Sequence, residues 1–424
     1  MKAAAYTLGC KVNQYDTQAM LELLEKAGYE IVPFTEKADV YIVNSCTVTN
    51  IADRKSRQMI GRAAQANPDA VIVVAGCLTQ RNGEEVLAMP GVRAVLGTGE
   101  RAQIVRIVER ARTEKVNAVA AETPDFEDLS VHSGGEMTRG YIKIQEGCNQ
   151  YCSYCIIPYV RGHARSRPLE GILEEAAGLA ANGVREVVLT GINISSYNDG
   201  GRNLADALER IAQVEGADRI RLGSLEPGLL TPEFIGRTAK IEKLCPHFHV
   251  SLQSGSGGVL RRMNRRYTPE EYEAVILNLR QAFDNPAITT DVITGFPGET
   301  EAEFAETKEF VRRIAFSKLH VFPYSERAGT RAAQLPGAVP MELRKARAAE
   351  LIAIGRDMEY AYIGSFLGKR DAVLFERPVG GGWAEGHTGR YVKVCAKAEP
   401  NKIKLVLMQS QKDDILMGET GNGG

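Results

Sequence analysis

The ten residues EGCNQYCSYC, Glu146 to Cys155, set Cys148, Cys152 and Cys155 at the spacing C-x3-C-x2-C. Three thiols this close offer three thiolate ligands to one metal centre. A structural zinc site closes on four ligands, and no second C-x-x-C or His pair lies close by to complete it. A cubane iron–sulfur cluster also normally takes four thiolates. Three would leave one iron open, and an open iron is a coordination site for a ligand rather than a plain electron-transfer centre. The alternative is a chance grouping of inert thiols; with only eight cysteines in 424 residues, that is the weaker reading.

Three further cysteines, Cys10, Cys46 and Cys77, stand alone in TLGCK, VNSCT and VAGCL. Each sits at or just beyond the end of an apolar run of strand length. In a parallel sheet the carboxyl ends of adjacent strands converge on one edge, where such sheets bind ligands. Gly9 and Gly76, before the first and third, let the backbone approach a bulky group. The alternative is three small buried hydrophobes. Cys245, His247 and His249 in CPHFHV would share one strand face. A strand presents them in a row rather than as a tetrahedron, so no metal is expected there. Cys395, alternating in YVKVCAK, reads as a core thiol.

These residues need a scaffold, and its pattern is visible. AAAYTLG, DVYIVNSC, AVIVVAGC and VRAVLGTG read as strands, separated by amphipathic runs such as QYDTQAMLELLEKAGYE and NIADRKSRQMIGRAAQANP. Such alternation predicts a parallel sheet covered on both faces. From 114 to 138 the period fades and the chain reads as an acidic linker. Strands resume at YIKIQEG, REVVLTG, RIRLGSLEP, HFHVSLQSG, AITTDVITGFPG and SKLHVFPY, with five helical crossovers between them. That predicts a partial (βα)6 barrel with its chemistry at the strands' carboxyl ends. After the long helix MELRKARAAELIAIGRDMEYAYIGSFLG, the strands RDAVLFERP, WAEGHTGRYVKVCAK and NKIKLVLMQSQ predict a small antiparallel β-barrel. The expected fold class is α/β: domain 1–113, linker 114–138, barrel 139–363 and final barrel 364–424.

The formal net charge of −1 gives no global field for nucleic acid, so RNA contact would need local patches. The opening MKAAAYTLGCK has no apolar run of signal-peptide length. The longest apolar stretch, AVIVVAGCL, is far short of a membrane span. A cytoplasmic protein with no membrane partner is expected, where cysteines serve as metal ligands or isolated thiols rather than disulfides.

The three-cysteine run after the first barrel strand resembles the fingerprint of radical S-adenosylmethionine (SAM) enzymes. The resemblance implies that SAM chelates the fourth iron of a 4Fe–4S cluster on Cys148, Cys152 and Cys155. One electron then cleaves SAM to methionine and a 5′-deoxyadenosyl radical. Tyr154 would lie beside the adenine; a loop aromatic packed on the barrel is the alternative. Nearly the whole chain resembles the methylthiotransferase family, through TLGCKVNQYDT, NSCTVTNIADRKSRQ, CIIPYVRGHARSRP, LQSGSGGVLRRMNRRYT and GFPGETEAEF. That implies a second 4Fe–4S cluster on Cys10, Cys46 and Cys77, whose open iron carries the sulfur to be inserted. The final domain resembles the RNA-binding TRAM module. TLGCKVNQYDT and TVTNIADRKSRQMIGR resemble the branch acting on threonylcarbamoyladenosine beside the tRNA anticodon. The isopentenyladenosine branch reads more like YGCQMN, and the ribosomal-protein branch has Pro where this chain has Lys11.

Further candidate SAM or substrate contacts lie at strand ends. LTGIN departs at Thr190, Gly191 and Asn193 from the Gly-Gly-Glu motif many radical SAM enzymes use for the amino group of SAM. Ser224 and Glu226, Gln253 and Ser254 bind SAM or substrate, or else cap loops. Asp291 and Gly295 resemble an adenine-contact strand. The basic runs VRGHARSRP (Arg161, Arg165, Arg167) and LRRMNRRY (Arg261, Arg262, Arg265, Arg266) are candidate phosphate grips, one of them also a partner for the SAM carboxylate. The final domain, from Gly368, holds nine Lys/Arg against seven Asp/Glu, so its RNA role rests on resemblance.

The implied reaction uses one SAM to methylate the sulfur and another to make the radical, which takes hydrogen from carbon 2 of the modified adenine. The target must be unstacked, which suits a single-stranded anticodon loop. Expected partners are the tRNA anticodon stem-loop, an electron donor such as flavodoxin or ferredoxin, and a sulfur donor whose identity stays open. The alternatives are action on isopentenyladenosine or a ribosomal protein, or a noncatalytic iron–sulfur RNA sensor.

Overall fold

The computed structural model describes residues 1–48, 50–121, 125–132 and 138–421. The first sheet has strands β1 (Lys2–Thr7), β2 (Glu30–Ile31), β3 (Val40–Ser45), β4 (Val71–Gly76), β5 (Val92–Leu96) and β6 (Val116–Ala118), in the order β2-β1-β3-β4-β5-β6. All are parallel. The central strands VYIVNS and VIVVAG are buried throughout, because helices cover both faces. Val40, Ile42 and Val73 pack with α1 (Lys11–Lys26) and α4 (Ile104–Ala111). The alternate residues Tyr41, Val43, Ile72 and Val74 pack with α2 (Asn50–Ala66) and α3 (Cys77–Leu87).

Strand β6 lies inside the stretch read as a linker, and more of that stretch is anchored. Leu129 and Val131 pack with Tyr15 and Ala19 of α1. Glu127 accepts from the amide of Ala102 and pairs with Arg101, while Asp128 pairs with Arg167. Segment 114–138 is therefore a strap in its described part; residues 122–124 and 133–137 lie outside the described residues. A strap held by individual side chains has no burial period, which is why its pattern fades in the sequence.

The barrel follows. Strand β7 (Arg139–Glu146) is capped at its edge by β8 (Arg165–Ser166), beyond the short α5 (Ile157–Arg161). Then come α6 (Leu169–Ala181), β9 (Glu186–Gly191), the small hairpin β10–β11 (Asn198–Asp199 and Arg202–Asn203) and α7 (Leu204–Ile211). Next are β12 (Arg219–Leu222), β13 (Ser224–Leu225), α8 (Pro232–Thr238), β14 (His247–Val250), α9 (Gly257–Arg262) and α10 (Pro269–Ala282). Strand β15 (Ala287–Thr294), α11 (Glu301–Ile314) and β16 (Lys318–Pro323) complete it, and α12 (Met341–Gly364) packs behind. Asn203, Thr268 and Thr300 begin α7, α10 and α11 with capping boxes to Asp206, Glu271 and Glu303. Sheets β12-β9-β7-β8 and β13-β14-β15-β16 are joined by a bridge between Ile220 and Leu244. No pairing joins β7 to β16, so the barrel is open, as expected.

Alternation along these strands sets the character of the interior. Ile142, Val187, Ile220, Phe248 and Ile288 face outward into the helices. Their neighbours Tyr141, Val188, Arg221, His247, His249 and Thr289 line a central cavity. A barrel filled with branched apolar layers would be a packed core; this one is a polar chamber.

The C-terminal domain is a closed barrel, β17 (Arg370–Gly380), β18 (Trp383–Thr388), β19 (Lys393–Lys397), β21 (Ile415–Thr420) and β20 (Ile403–Lys412). WAEGHTGRYVKVCAK, read as one strand, is two, divided by a turn at Tyr391 with φ 64°. Val394 and Ala396 face this barrel's core, so Cys395 between them faces outward and is half-buried, not a core thiol. Among the described residues no helix is long and apolar enough to cross a membrane.

Candidate active site

Cys10, Cys46 and Cys77 follow the adjacent strands β1, β3 and β4, and the sheet gathers them at one edge. Cys46 and Cys77 are buried, whereas Cys10 is exposed to the central cavity. Gly9 has φ 100°, and a Cβ there would lie 3.0 Å from Cys46 Sγ. Gly76 has φ 101°, with Ser45 O 2.5 Å from where its Cβ would stand. These glycines admit the neighbouring strand end as well as any bulky group. Burial pushes the Cys46 thiol up to about 11, and Cys77 and Cys10 beside it add to the shift.

In the second trio Cys152 is close enough to Cys148 and Cys155 to oppose the ionisation of both. Burial is the main cause pushing Cys155 up to about 12. The amide of Gln150 donates to Cys148 Sγ at 3.4 Å. Asn193 approaches the same sulfur at 3.9 Å, while its own amide donates to Gln145 Oε1 at 2.6 Å.

Each trio has one guanidinium against a sulfur. Arg265 Nη1 donates to Cys152 Sγ at 3.2 Å and Arg161 Nε to Cys77 Sγ at 3.3 Å. A cation at each sulfur set suits an anionic thiolate-bound cluster. Among the described residues no three His, Cys, Asp or Glu side chains converge on a single metal ion. Three thiols with one cation at each site are the donor chemistry of an iron–sulfur cluster, so the residues fit two such clusters. Cys245 is buried beside Glu186.

A buried ion network joins the two trios. Asp16 on α1 pairs with Arg101 at 3.0 Å and with Lys143 of β7 at 2.7 Å. Lys143 also reaches Glu146, and Arg161 binds Glu146 and the side chain of Asn13. Burial alone would raise the Glu146 carboxyl, but Arg161, Lys143 and Arg101 outweigh it and hold it well below the usual carboxylate range. Arg161 and Arg167 are wholly buried, Arg167 against Glu175 and Asp128, so neither grips phosphate. Arg165 turns to the carbonyls of Arg161 and His163. Arg262 pairs with Glu303, and Arg265 with Glu226. Of the seven arginines in the two basic runs, Arg261 and Arg266 remain exposed, at the edge of a cleft above α9.

The central cavity, about 860 Å³, is walled by all three domains. Cys10 and Lys11 come from the first, Thr190, Gly191, Ser224 and Asp291 from the barrel, and His387 and Tyr391 from the last. Four of the chain's six histidines, His247, His249, His320 and His387, line it. Burial, followed by Arg221 and His249, holds His247 far below the ordinary histidine pKa and therefore neutral. The Tyr391 ring lies 5.0 Å from the Arg139 guanidinium and 4.8 Å from that of Arg221, and stacks on His387 at 4.6 Å. Asn193, Glu226 and Arg265 line a second cavity of about 500 Å³. Tyr154 packs beside Val259, Met263 and Phe296. Gln253 and Ser254 are buried, Ser254 against Thr307. Gly295, φ 68°, is where Arg344 of α12 crosses, with its Cγ 2.3 Å from a Cβ placed there. Gln253, Ser254 and Gly295 line neither of the two cavities.

Lys11, Arg139, Arg221, His320, His387 and Tyr391 also line the cavity, though no local motif marks them for it. The available signal was the polar phase of RIRL, HFHV and ITTDVIT, whose apolar phase faces helices.

Comparison with known proteins agrees with this geometry. Residues 2–97 match the family described as "Uncharacterized protein family UPF0004", and residues 142–311 match the Radical SAM superfamily. The threonylcarbamoyladenosine tRNA methylthiotransferase of Bacillus subtilis (strain 168) is 40% identical over 95% of this chain and 92% of its own length. The tRNA-2-methylthio-N(6)-dimethylallyladenosine synthase of Moorella thermoacetica is 38% identical over 88% of this chain and 86% of its own. In fold, the radical S-adenosylmethionine methyltransferase TsrM of Kitasatospora setae superposes with TM-score 0.58 at 17% identity, covering 76% of this chain and 72% of TsrM. With both three-thiol sites in place on this scaffold, the chain belongs to the methylthiotransferase family of radical SAM enzymes.

Proposed function

We propose that the chain converts N6-threonylcarbamoyladenosine beside the tRNA anticodon to its 2-methylthio derivative, in the cytoplasm. The observation that carries this reading is the central cavity. One of its walls holds Cys10 of the first trio, another holds strand ends next to the second trio, and a third is the C-terminal barrel. Its volume lies within the range of small-ligand sites. The named activity of the Bacillus subtilis relative supports the choice of nucleoside.

Cys148, Cys152 and Cys155 would hold one 4Fe–4S cluster, and Cys10, Cys46 and Cys77 the other. Bound there, the two clusters supply reductive cleavage of SAM and the sulfur to be inserted. The chain's own residues then have defined tasks. Asn193, Glu226 and Arg265 line the cavity nearest Cys148 and Cys152 and would orient SAM, with Tyr154 packed behind. Gly191, Ser224 and Asp291, in the central cavity, would meet the nucleoside. Gln253 and Gly295 would act by shaping the strand ends rather than by touching either ligand. His247, held neutral by burial, adds no competing charge. Arg261 and Arg266, together with the C-terminal barrel, would grip the anticodon stem-loop. A flavodoxin or ferredoxin would deliver electrons.

The test is anaerobic reconstitution with reductant, SAM and a sulfur source, followed by mass spectrometry of tRNA nucleosides. A methylthio gain on threonylcarbamoyladenosine is the expected result. Formation of 5′-deoxyadenosine with modification of only the isopentenyl nucleoside, or only a ribosomal protein, would overturn the substrate. No 5′-deoxyadenosine under any condition would leave the noncatalytic RNA sensor.

A further inference from the structure

Six lysines and arginines line the central cavity: Lys11, Arg139, Arg221, Lys318, Arg390 and Lys393. Five are already paired. Arg139 binds Glu376 and Arg221 binds Glu186. Lys318 binds Glu359, Arg390 binds Asp371, and Lys393 binds Asp414. Two of the lining carboxylates, Glu359 and Asp414, are taken up in these pairs, and Asp291 lies 3.3 Å from the His249 ring. Lys11 is the cation left over, with no hydrogen-bond or ion-pair partner among the described residues. An ammonium in the chamber wall without a protein partner is a receptor for one anionic group of a ligand.

Lys11 also has a particular place. It follows Cys10 directly and opens α1 at the cavity wall. Carbon 2 and carbon 6 of adenine flank the same ring nitrogen. Sulfur arriving at carbon 2 and a substituent on N6 therefore share one edge of the ring. A residue beside Cys10 is placed to meet that substituent.

Resting on the substrate reading above, we propose that the Lys11 ammonium receives the threonine carboxylate of N6-threonylcarbamoyladenosine and selects this nucleoside over one with an apolar N6 group. An isopentenyl group would cover the ammonium without pairing it, which is a cost.

The experiment measures anaerobic binding of synthetic anticodon stem-loops to the full chain carrying both clusters. One loop has threonylcarbamoyladenosine, a second has its neutral carboxamide, and a third has unmodified adenosine. Losing one charge-assisted hydrogen bond should weaken binding of the carboxamide loop about tenfold to a hundredfold. Lys11→Met should bind carboxylate and carboxamide loops alike, and Lys11→Arg should restore the preference. Equal affinity of the native chain for these two loops overturns the inference without any variant. A preference for carboxylate that persists in Lys11→Met also overturns it. Iron per chain is counted in each variant. If Lys11→Met loses iron, Lys11→Gln is scored by the same two outcomes, and the native-chain comparison stands regardless. Nucleoside turnover is followed separately. No product on threonylcarbamoyladenosine defeats the substrate reading, whereas product with charge-blind binding defeats the lysine alone.

Discussion

Arg161 places its Nε 3.3 Å from the Sγ of Cys77, a residue 84 positions earlier and in another domain. The same guanidinium holds Glu146, two residues before Cys148, and Asn13, three after Cys10. One side chain therefore touches the segments that carry both thiol trios.

Removing it should be costly. Arg161→Met leaves buried Glu146 short of its main partner, and breaking a buried ion pair typically costs about 3–5 kcal/mol. Denaturant unfolding should show a loss of that order, with iron falling first at the Cys10 trio. Arg161→Lys should recover part of the stability, since an ammonium keeps the charge but not the three-way reach.

The two trios should separate by function. Cys148→Ala should abolish 5′-deoxyadenosine formation and remove about half the iron, four of eight atoms by the cluster stoichiometry. Cys46→Ala should remove a similar share of iron, leave SAM cleavage and stop sulfur insertion. Iron analysis and product chromatography on the same preparations check both. Loss of SAM cleavage in both variants would mean the sites are not independent.

Arg265 bridges Cys152 and Glu226, so Arg265→Met should disturb SAM handling more than stability. Losing a group that supports a metal ligand commonly costs about ten- to a hundredfold in activity or metal affinity. A fall of that size in 5′-deoxyadenosine rate with near-native iron is expected. Equilibrium dialysis of SAM distinguishes lost binding from lost cleavage.

The pH response of the metal-stripped chain follows from Cys46. Its thiol is raised by burial from an ordinary 9.0 to about 11 in the fold. The folded form binds the proton more tightly, so this contribution is complete below pH 9 and disappears as pH rises towards about 11. Two pKa units correspond to about 3 kcal/mol. Thermal midpoints of the stripped chain should drop over that window. The loaded chain, whose ligand thiols are already deprotonated, should not show this loss.

Six cysteines and the layer order were legible because both are local or periodic. Three strand ends followed by Cys, and one tight C-x3-C-x2-C run, need no tertiary information. The basic run VRGHARSRP shows the limit: its letters suggest a solvated face, yet Arg161 and Arg167 are interior. Charge says nothing about pairing until Asp16, Glu146 and Glu175 are brought alongside. For Cys395 a two-residue alternation leaves two phases, and the one that turns Val394 and Ala396 inward turns the thiol out. The cavity has no signature in the sequence, because its walls, from Lys11 to Tyr391, meet only when three domains are stacked.

That stacking restricts how the chain can change its choice of substrate. Tyr391, at the turn of one module, is wedged between Arg139 and Arg221 of another, opposite a wall that begins at Cys10. A domain exchanged with a differently specific relative would arrive with one wall cut for its former neighbours. Substrate preference should therefore transfer as a matched set of surface residues and resist transfer by whole-domain grafting.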